Sequence, residues 1–186
     1  IRLRSIDNGK SEEVRTYKSL AAFNQVGSVF AIPKAALCLC GFYPDFCTQH
    51  FATLEQQLDV MGGGLELSLL AAIPKGSGLG TSSVLAAAVL GTLSNACSLN
   101  WSKHETANRV LILEQLLTTG GGWQDQYGAV FGGLKLLESS SGIQNNIGVG
   151  WLNERLFTNA QTAPCWLLYY TGITRTAKSI LAEIVK

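Results

Sequence analysis

The segment Pro74-Lys75-Gly76-Ser77-Gly78-Leu79-Gly80-Thr81-Ser82-Ser83 constrains this chain more than any other. Three glycines within five residues let the backbone approach a ligand closely and take φ values that side chains resist. Residues 65–73 before it alternate apolar and polar, which predicts a strand. After it, Val84, Leu85, Ala88, Val89 and Leu93 recur at helical spacing and predict a buried helix over 82–97. A helix N-terminus carries unpaired N–H groups and roughly half a positive charge, so this junction suits a phosphate. Thr81, Ser82 and Ser83 add hydroxyls at the same place. No Gly-Lys-Ser/Thr follows the glycines, so the loop is not a Walker A motif. Thr81 stands where G-x-G-x-x-G needs its third glycine, so it is not a dinucleotide fingerprint either. A plain glycine turn with a Ser/Thr cap is the alternative.

The rest of the chain reads as α+β. Residues 1–7 and 14–20 alternate around Asn8-Gly9 and predict a hairpin-like pair of strands. Pro33 opens a helical segment over 35–42, and 53–60 is a second short helix stopped by Gly62-Gly63-Gly64. Ser102 and Glu105 form an S-x-x-E capping box, which predicts a helix through Leu117, ended by Gly120-Gly121-Gly122. Residues 134–138 and 166–171 read as strands, 139–146 as a polar loop, and 174–185 as an amphipathic helix. No linker divides the 186 residues into domains.

Two carboxylates stand out. Glu114 follows Val110-Leu111-Ile112-Leu113 and precedes Leu116-Leu117, and a carboxylate buried in such a run needs a partner or a metal. Asp125 lies eleven residues on, in Gly120-Gly121-Gly122-Trp123-Gln124-Asp125-Gln126-Tyr127-Gly128, where glycines let backbone meet a substrate. A solvated face for Glu114 and a helix cap for Asp125 are the plainer readings.

The string P-x-x-x-G-L-G-[ST]-S resembles the second signature of the GHMP kinases, which include galactokinase, homoserine kinase and mevalonate kinase. The resemblance implies an α+β domain with a mixed sheet and packed helices, continuing into the start of a C-terminal domain. It implies that Lys75, Gly76, Ser77, Gly78, Leu79, Gly80, Thr81, Ser82 and Ser83 wrap ATP phosphates. By position it makes Ser82 and Glu114 the magnesium ligands and Asp125 the base that takes a sugar hydroxyl proton. Gly-Trp-Gln-Asp-Gln-Tyr-Gly, Phe131-Gly132-Gly133-Leu134-Lys135 and Tyr170-Thr171-Gly172-Ile173-Thr174-Arg175-Thr176-Ala177-Lys178 are similar to the branch of L-fucokinases and heptose-phosphate kinases. The match is nearest the kinase module of bifunctional fucokinase/GDP-fucose pyrophosphorylases. Gly121, Gly122, Trp123, Gln124, Tyr127 and Arg175 are the expected substrate contacts, with core packing open for Trp123 and Tyr127 and an exposed charge open for Arg175.

The family's Arg-x-Asp/Asn sugar motif is missing from these residues, and so is its C-terminal glycine-rich motif. The chain is therefore expected to be a partial module whose partners include the rest of its own polypeptide, including a fused nucleotidyltransferase domain. The competing readings are a heptose-phosphate kinase and a GHMP-fold regulator that binds sugar and ATP without turnover.

Other features narrow the surroundings. With 14 basic and 13 acidic residues and no run of either sign, nucleic acid is not an expected partner. The longest apolar stretch, within 84–93, is far short of the roughly 20 residues that cross a bilayer. Five cysteines without a C-x-x-C pair read as buried, reduced thiols of a cytoplasmic protein. His50 and His104 have no ligand-spaced partners. Charged residues make up 15%, against roughly 25% in an ordinary domain. Either the core is large or apolar surface belongs against another part of the protein.

Overall fold

The computed structural model describes residues 1–25, 28–73, 77–117, 122–142, 146–169 and 171. They fall in two compact units, one within Ile1–Val130 and one within Phe131–Ile173. The predicted helix over 174–185 lies outside the described residues.

The first unit opens with β1 (Arg2–Ser5), a turn through Gly9 at φ +61, and antiparallel β2 (Lys10–Glu13). The expected second strand over 14–20 is corrected. Thr16 accepts a hydrogen bond from Ser19 N at 3.1 Å and donates its own N–H to Ser19 Oγ, and this capping box starts α1 (Tyr17–Ala21). Helix α2 (Ala31–Leu37) carries Pro33 in its first turn, where a missing N–H costs little. It runs into a π-helical turn, Cys38–Phe42, that Gly41 closes at φ +95. Helix α3 (Leu54–Val60) begins on Thr53, whose hydroxyl accepts from Gln56 N at 3.1 Å. It ends in a Schellman pair, Gly63 N to Leu58 O and Gly62 N to Asp59 O, with Gly62 at φ +96.

Strand β3 (Glu66–Leu69) returns parallel to β1, giving the sheet order β2-β1-β3. It is shorter than the predicted 65–73, because β1 ends at Ser5 and the last ladder bond runs from Ile6 N to Leu69 O. Leu3, Leu67 and Leu69 point inward, while Arg2 and Arg4 pair with Glu13 and Glu66 on the outer face. Solvent screens those exposed pairs, so they add little to stability. Lys34 is 3% exposed, and its Nζ meets Glu12 at 2.5 Å.

Two long helices complete the core: α4 (Thr81–Ala96) and α5 (Lys103–Leu117). Ala86, Val89, Leu90 and Leu93 of α4 pack with Leu37 and Phe42 and with Val110 and Leu113 of α5. The Ser102–Glu105 capping box is present, with Ser102 N on Glu105 Oε2 at 2.8 Å and Glu105 N on Ser102 Oγ at 3.2 Å. Between the helices, Ser98 and Asn100 take left-handed φ values of 53° and 52°. Helix α6 (Gln124–Val130) packs on both α4 and α5.

The second unit holds the antiparallel hairpin β4 (Lys135–Ser139) and β5 (Ile147–Trp151), then the short α7 (Arg155–Thr158). Phe131 packs edge-on to Trp151, with ring centroids 6.1 Å apart, and Phe157 lies 4.3 Å from Trp166. The predicted strand over 166–171 is a second correction: residues 166–169 pair with no strand, and Leu168 is 91% exposed. An alternating apolar run becomes a strand only where a neighbour supplies the ladder. Cys165 is exposed, against the expected burial, because the turn Ala163–Cys165 lies at the surface.

Candidate active site

Helix α4 starts without a side-chain cap. Its N-cap is Gly80 in the left-handed region at φ +65, two residues after Gly78 at φ +75. That geometry needs glycine. No side-chain hydrogen bond from the N-cap is made to the first turn. Ser77 Oγ lies 3.4 Å from Thr81 Oγ1 across the turn. Lys75 and Gly76 lie outside the described residues, as do Gly121 and Arg175. Gly78, Leu79 and Ser82 are exposed, Thr81 half-buried, and Ser83 turns into the protein at 2% exposure.

Ser83 faces inward because it shares the helix face of Ala86, Leu90 and Leu93. There it meets Glu114, donating its Oγ–H to Glu114 Oε1 at 2.6 Å. The other carboxylate oxygen, Oε2, accepts from Gln126 Nε2 of α6 at 2.5 Å. One carboxylate thus joins the first turn of α4, the last turns of α5 and the start of α6.

Asp125 approaches the same turn of α4 from the other side. A Cβ on Gly80 would lie 3.6 Å from Asp125 Cγ and 3.7 Å from its Oδ1. Asp125 is exposed, so its carboxylate is open to solvent beside the loop. The structure thus brings Asp125 to Gly80 of the loop and Glu114 to Ser83, the neighbour of Ser82. Among the described residues no three His, Cys, Asp or Glu side chains form a cation cage. Ser83 is the hydroxyl that meets Glu114, while Ser82 beside it and Asp125 beside Gly80 are exposed.

The aromatic pair divides. Trp123 is half-buried and meets Tyr127 edge-on, with ring centroids 6.4 Å apart. Tyr127 is 1% exposed, and its hydroxyl donates to Asn108 Oδ1 at 3.1 Å on α5. Burial pushes the Tyr127 hydroxyl above its usual range. Tyr127 thus occupies the packing role left open for it, and Gly122 and Gln124 are exposed just ahead of Asp125. A side chain at Gly122 would collide with Gln124.

Gln126 is a site residue that the sequence did not reveal. The available signal was indirect: a carboxylate set in an apolar run needs donors, and Gln124 and Gln126 are the nearby amides that a short helix can turn inward. Gln126 is 2% exposed, and its Oε1 has no hydrogen-bond partner.

Comparison with known proteins matches residues 46–133 to the family described as GHMP kinases N terminal domain. The chain is 57% identical over 183 residues to L-fucokinase/L-fucose-1-P guanylyltransferase of Bacteroides fragilis, covering 98% of this chain and 19% of that protein. It is 34% identical over 179 residues to the bifunctional fucokinase/GDP-fucose pyrophosphorylase of Arabidopsis thaliana, covering 96% and 16%. A third relative is D-glycero-alpha-D-manno-heptose 7-phosphate kinase of Campylobacter jejuni, 33% identical over 118 residues, covering 58% and 32%. The chain spans less than a third of the length of each of these relatives.

Proposed function

Residues 46–133 of this chain are a GHMP kinases N terminal domain, and from that premise we propose that the protein phosphorylates the anomeric hydroxyl of L-fucose with ATP, giving L-fucose 1-phosphate and ADP. The observation that carries this reading is the placement of Asp125 against Gly80, a carboxylate open to solvent beside a helix N-terminus built for phosphate.

Phosphoryl transfer asks a protein mainly to position the reactants and to stabilise charge. Asp125 accepts the proton of the sugar hydroxyl as that oxygen bonds to the γ-phosphorus. The bond from phosphorus to the β,γ-bridging oxygen breaks, and ADP carries the electron pair away. The left-handed glycines of 77–80 bring amides close to the phosphates, and the α4 dipole favours their charge. Ser82 and Glu114 would hold Mg²⁺; a hydroxyl and a carboxylate, completed by phosphate and water, suit that hard ion. When bound, the ion neutralises charge on the transferring phosphoryl group. Gly122, Trp123 and Gln124 stand next to Asp125 and are the candidates for sugar contact in the described residues.

Two relatives that join a fucokinase to a guanylyltransferase or pyrophosphorylase support L-fucose as acceptor and a fused nucleotidyltransferase in the longer protein. Similarity to a heptose 7-phosphate kinase favours a phosphorylated heptose as the second reading. The place of action we assign is the cytoplasm, where ATP is supplied. No helix among the described residues is long and apolar enough to cross a membrane. The deciding experiment measures ADP release by the intact protein with L-fucose, D-galactose and a heptose 7-phosphate. Turnover with L-fucose supports the proposal, turnover only with the heptose moves it to the second reading, and ATP binding without turnover makes the protein a regulator.

A further inference from the structure

Gln126 is as deeply buried as Ser83, the other partner of Glu114, and its placement is specific. Its helix, α6, is seven residues long, and the residue before it, Asp125, faces the loop. One step round the same turn, Gln126 reaches Glu114 Oε2 with its Nε2 at 2.5 Å. Ser83 holds the other oxygen at 2.6 Å. Each carboxylate oxygen thus has its own donor, and the donors come from two different helices. A half-buried carboxylate held this way cannot rotate about its terminal bond without breaking one of the two hydrogen bonds.

We infer that Gln126 is a positioning residue that fixes the orientation of the Glu114 carboxylate and so sets how well the protein holds a nucleotide-bound divalent cation. This rests on the reading of Glu114 as a cation ligand. Groups that hydrogen-bond a ligating carboxylate govern metal affinity, and their loss lowers it by about 10–100-fold. The structure shows the energetic asymmetry of such a role. Gln126 is 2% exposed and leaves Oε1 without a partner, a cost that general packing does not require. A leucine or methionine would fill the same volume without that cost. What glutamine adds at this position is the donated hydrogen bond. The neighbouring Tyr127 secures α6 to α5 through Asn108, so docking of the helix does not depend on Gln126.

The test uses the intact protein and calorimetric titration with ADP, once with Mg²⁺ and once with EDTA. The ratio of the two dissociation constants is the enhancement due to the metal. In Gln126→Met and Gln126→Asn, ADP affinity in EDTA is expected to stay within about twofold of wild type. The Mg²⁺ enhancement is expected to fall about 10-fold. In a Glu114→Gln background, which itself loses most of the enhancement, adding Gln126→Met is expected to change nothing further. Wild-type enhancement in both Gln126 variants, with Glu114→Gln impaired, overturns the role of Gln126 and leaves that of Glu114 standing. Wild-type enhancement in Glu114→Gln overturns the assignment of Glu114, and the role of Gln126 falls with it. An equal loss of ADP affinity in Mg²⁺ and in EDTA shows Gln126 to be structural only, and also overturns the inference.

Discussion

Asp125 and Gly80 abut where α6 and α4 both begin, with Asp125 Cγ 3.6 Å from the place a Gly80 side chain would occupy. A glycine whose φ is +65 thereby leaves the carboxylate its space. The acid and the first turn of α4 are close enough that a Cβ at position 80 would touch the carboxylate.

Replacing Gly80 by alanine therefore acts through the backbone. The new methyl would meet Asp125 at ordinary van der Waals distance, but left-handed φ costs a non-glycine residue roughly 1–2 kcal/mol. Gly80→Ala is expected to lower the denaturant midpoint of the intact protein accordingly, and to raise KM for ATP as the first turn of α4 shifts. An unchanged midpoint counts against the left-handed cap.

Asp125→Asn keeps the volume and removes the base. The side chain is exposed, so the unfolding midpoint is expected to stay put. Its kcat for ADP release with the sugar is expected to drop about 10²–10⁴-fold, the range for a positioned general base. Near-normal turnover in this variant would sink the assignment of Asp125.

Tyr127→Phe separates packing from substrate contact. It deletes the bond to Asn108 Oδ1 within a side chain that is 1% exposed. The expected cost is about 1 kcal/mol of stability, more if Asn108 stays unpaired. KM for the sugar is expected to be unchanged. A raised KM at unchanged stability would return Tyr127 to the list of sugar contacts.

The thiols give a pH signature. Burial pushes both Cys38 and Cys40 up to about 12, whereas Cys165 is exposed. At pH 8 an aromatic disulfide reagent is expected to label Cys165 quickly and to leave Cys38 and Cys40 untouched until the protein unfolds. The folded state keeps protons on these two thiols that the unfolded chain would release. Their contribution to stability is therefore present below the ordinary thiol pKa and is lost as pH rises from 9.0 through about 12. The unfolding midpoint is expected to fall across that window, and to fall less in Cys38→Ala.

Much of the architecture was legible because it is encoded locally. The Ser102–Glu105 box and the period of α4 specify helices from a few adjacent residues, and both are where the pattern puts them. The failures share one cause. Residues 14–20 and 166–171 alternate like strands, but alternation describes a side-chain pattern and does not supply a neighbour. Thr16 and Ser19 drew the first into a helix, and residues 166–169 of the second have no partner strand. At the site, the loop and both carboxylates could be read as residues, and the glycine-rich spacing hinted at their meeting. That Ser83 is the one bonded to Glu114, with Ser82 turned outward, depends on how α4 is rotated against α5. Gln126 depends on the placing of a third helix, and no periodicity in one chain segment reveals that.

The turn between α4 and α5 closes without glycine. Ser98 takes the left-handed position, with its N–H on Asn95 O and that of Leu99 on Ser94 O, and Ser94 Oγ accepts from Trp101 N at 3.1 Å. Glu114 stands eleven residues along α5 from Lys103, about 17 Å at 1.5 Å per residue. If α5 turned as a rigid rod, that corner would be its pivot. A swing of about 3° there would carry the carboxylate about 1 Å, a displacement that can cost an enzyme 100-fold in rate. A small residue change at 98–101, remote from any nucleotide, would then act on the chemistry by leverage, and this corner is where a distant tuning mutation should be sought.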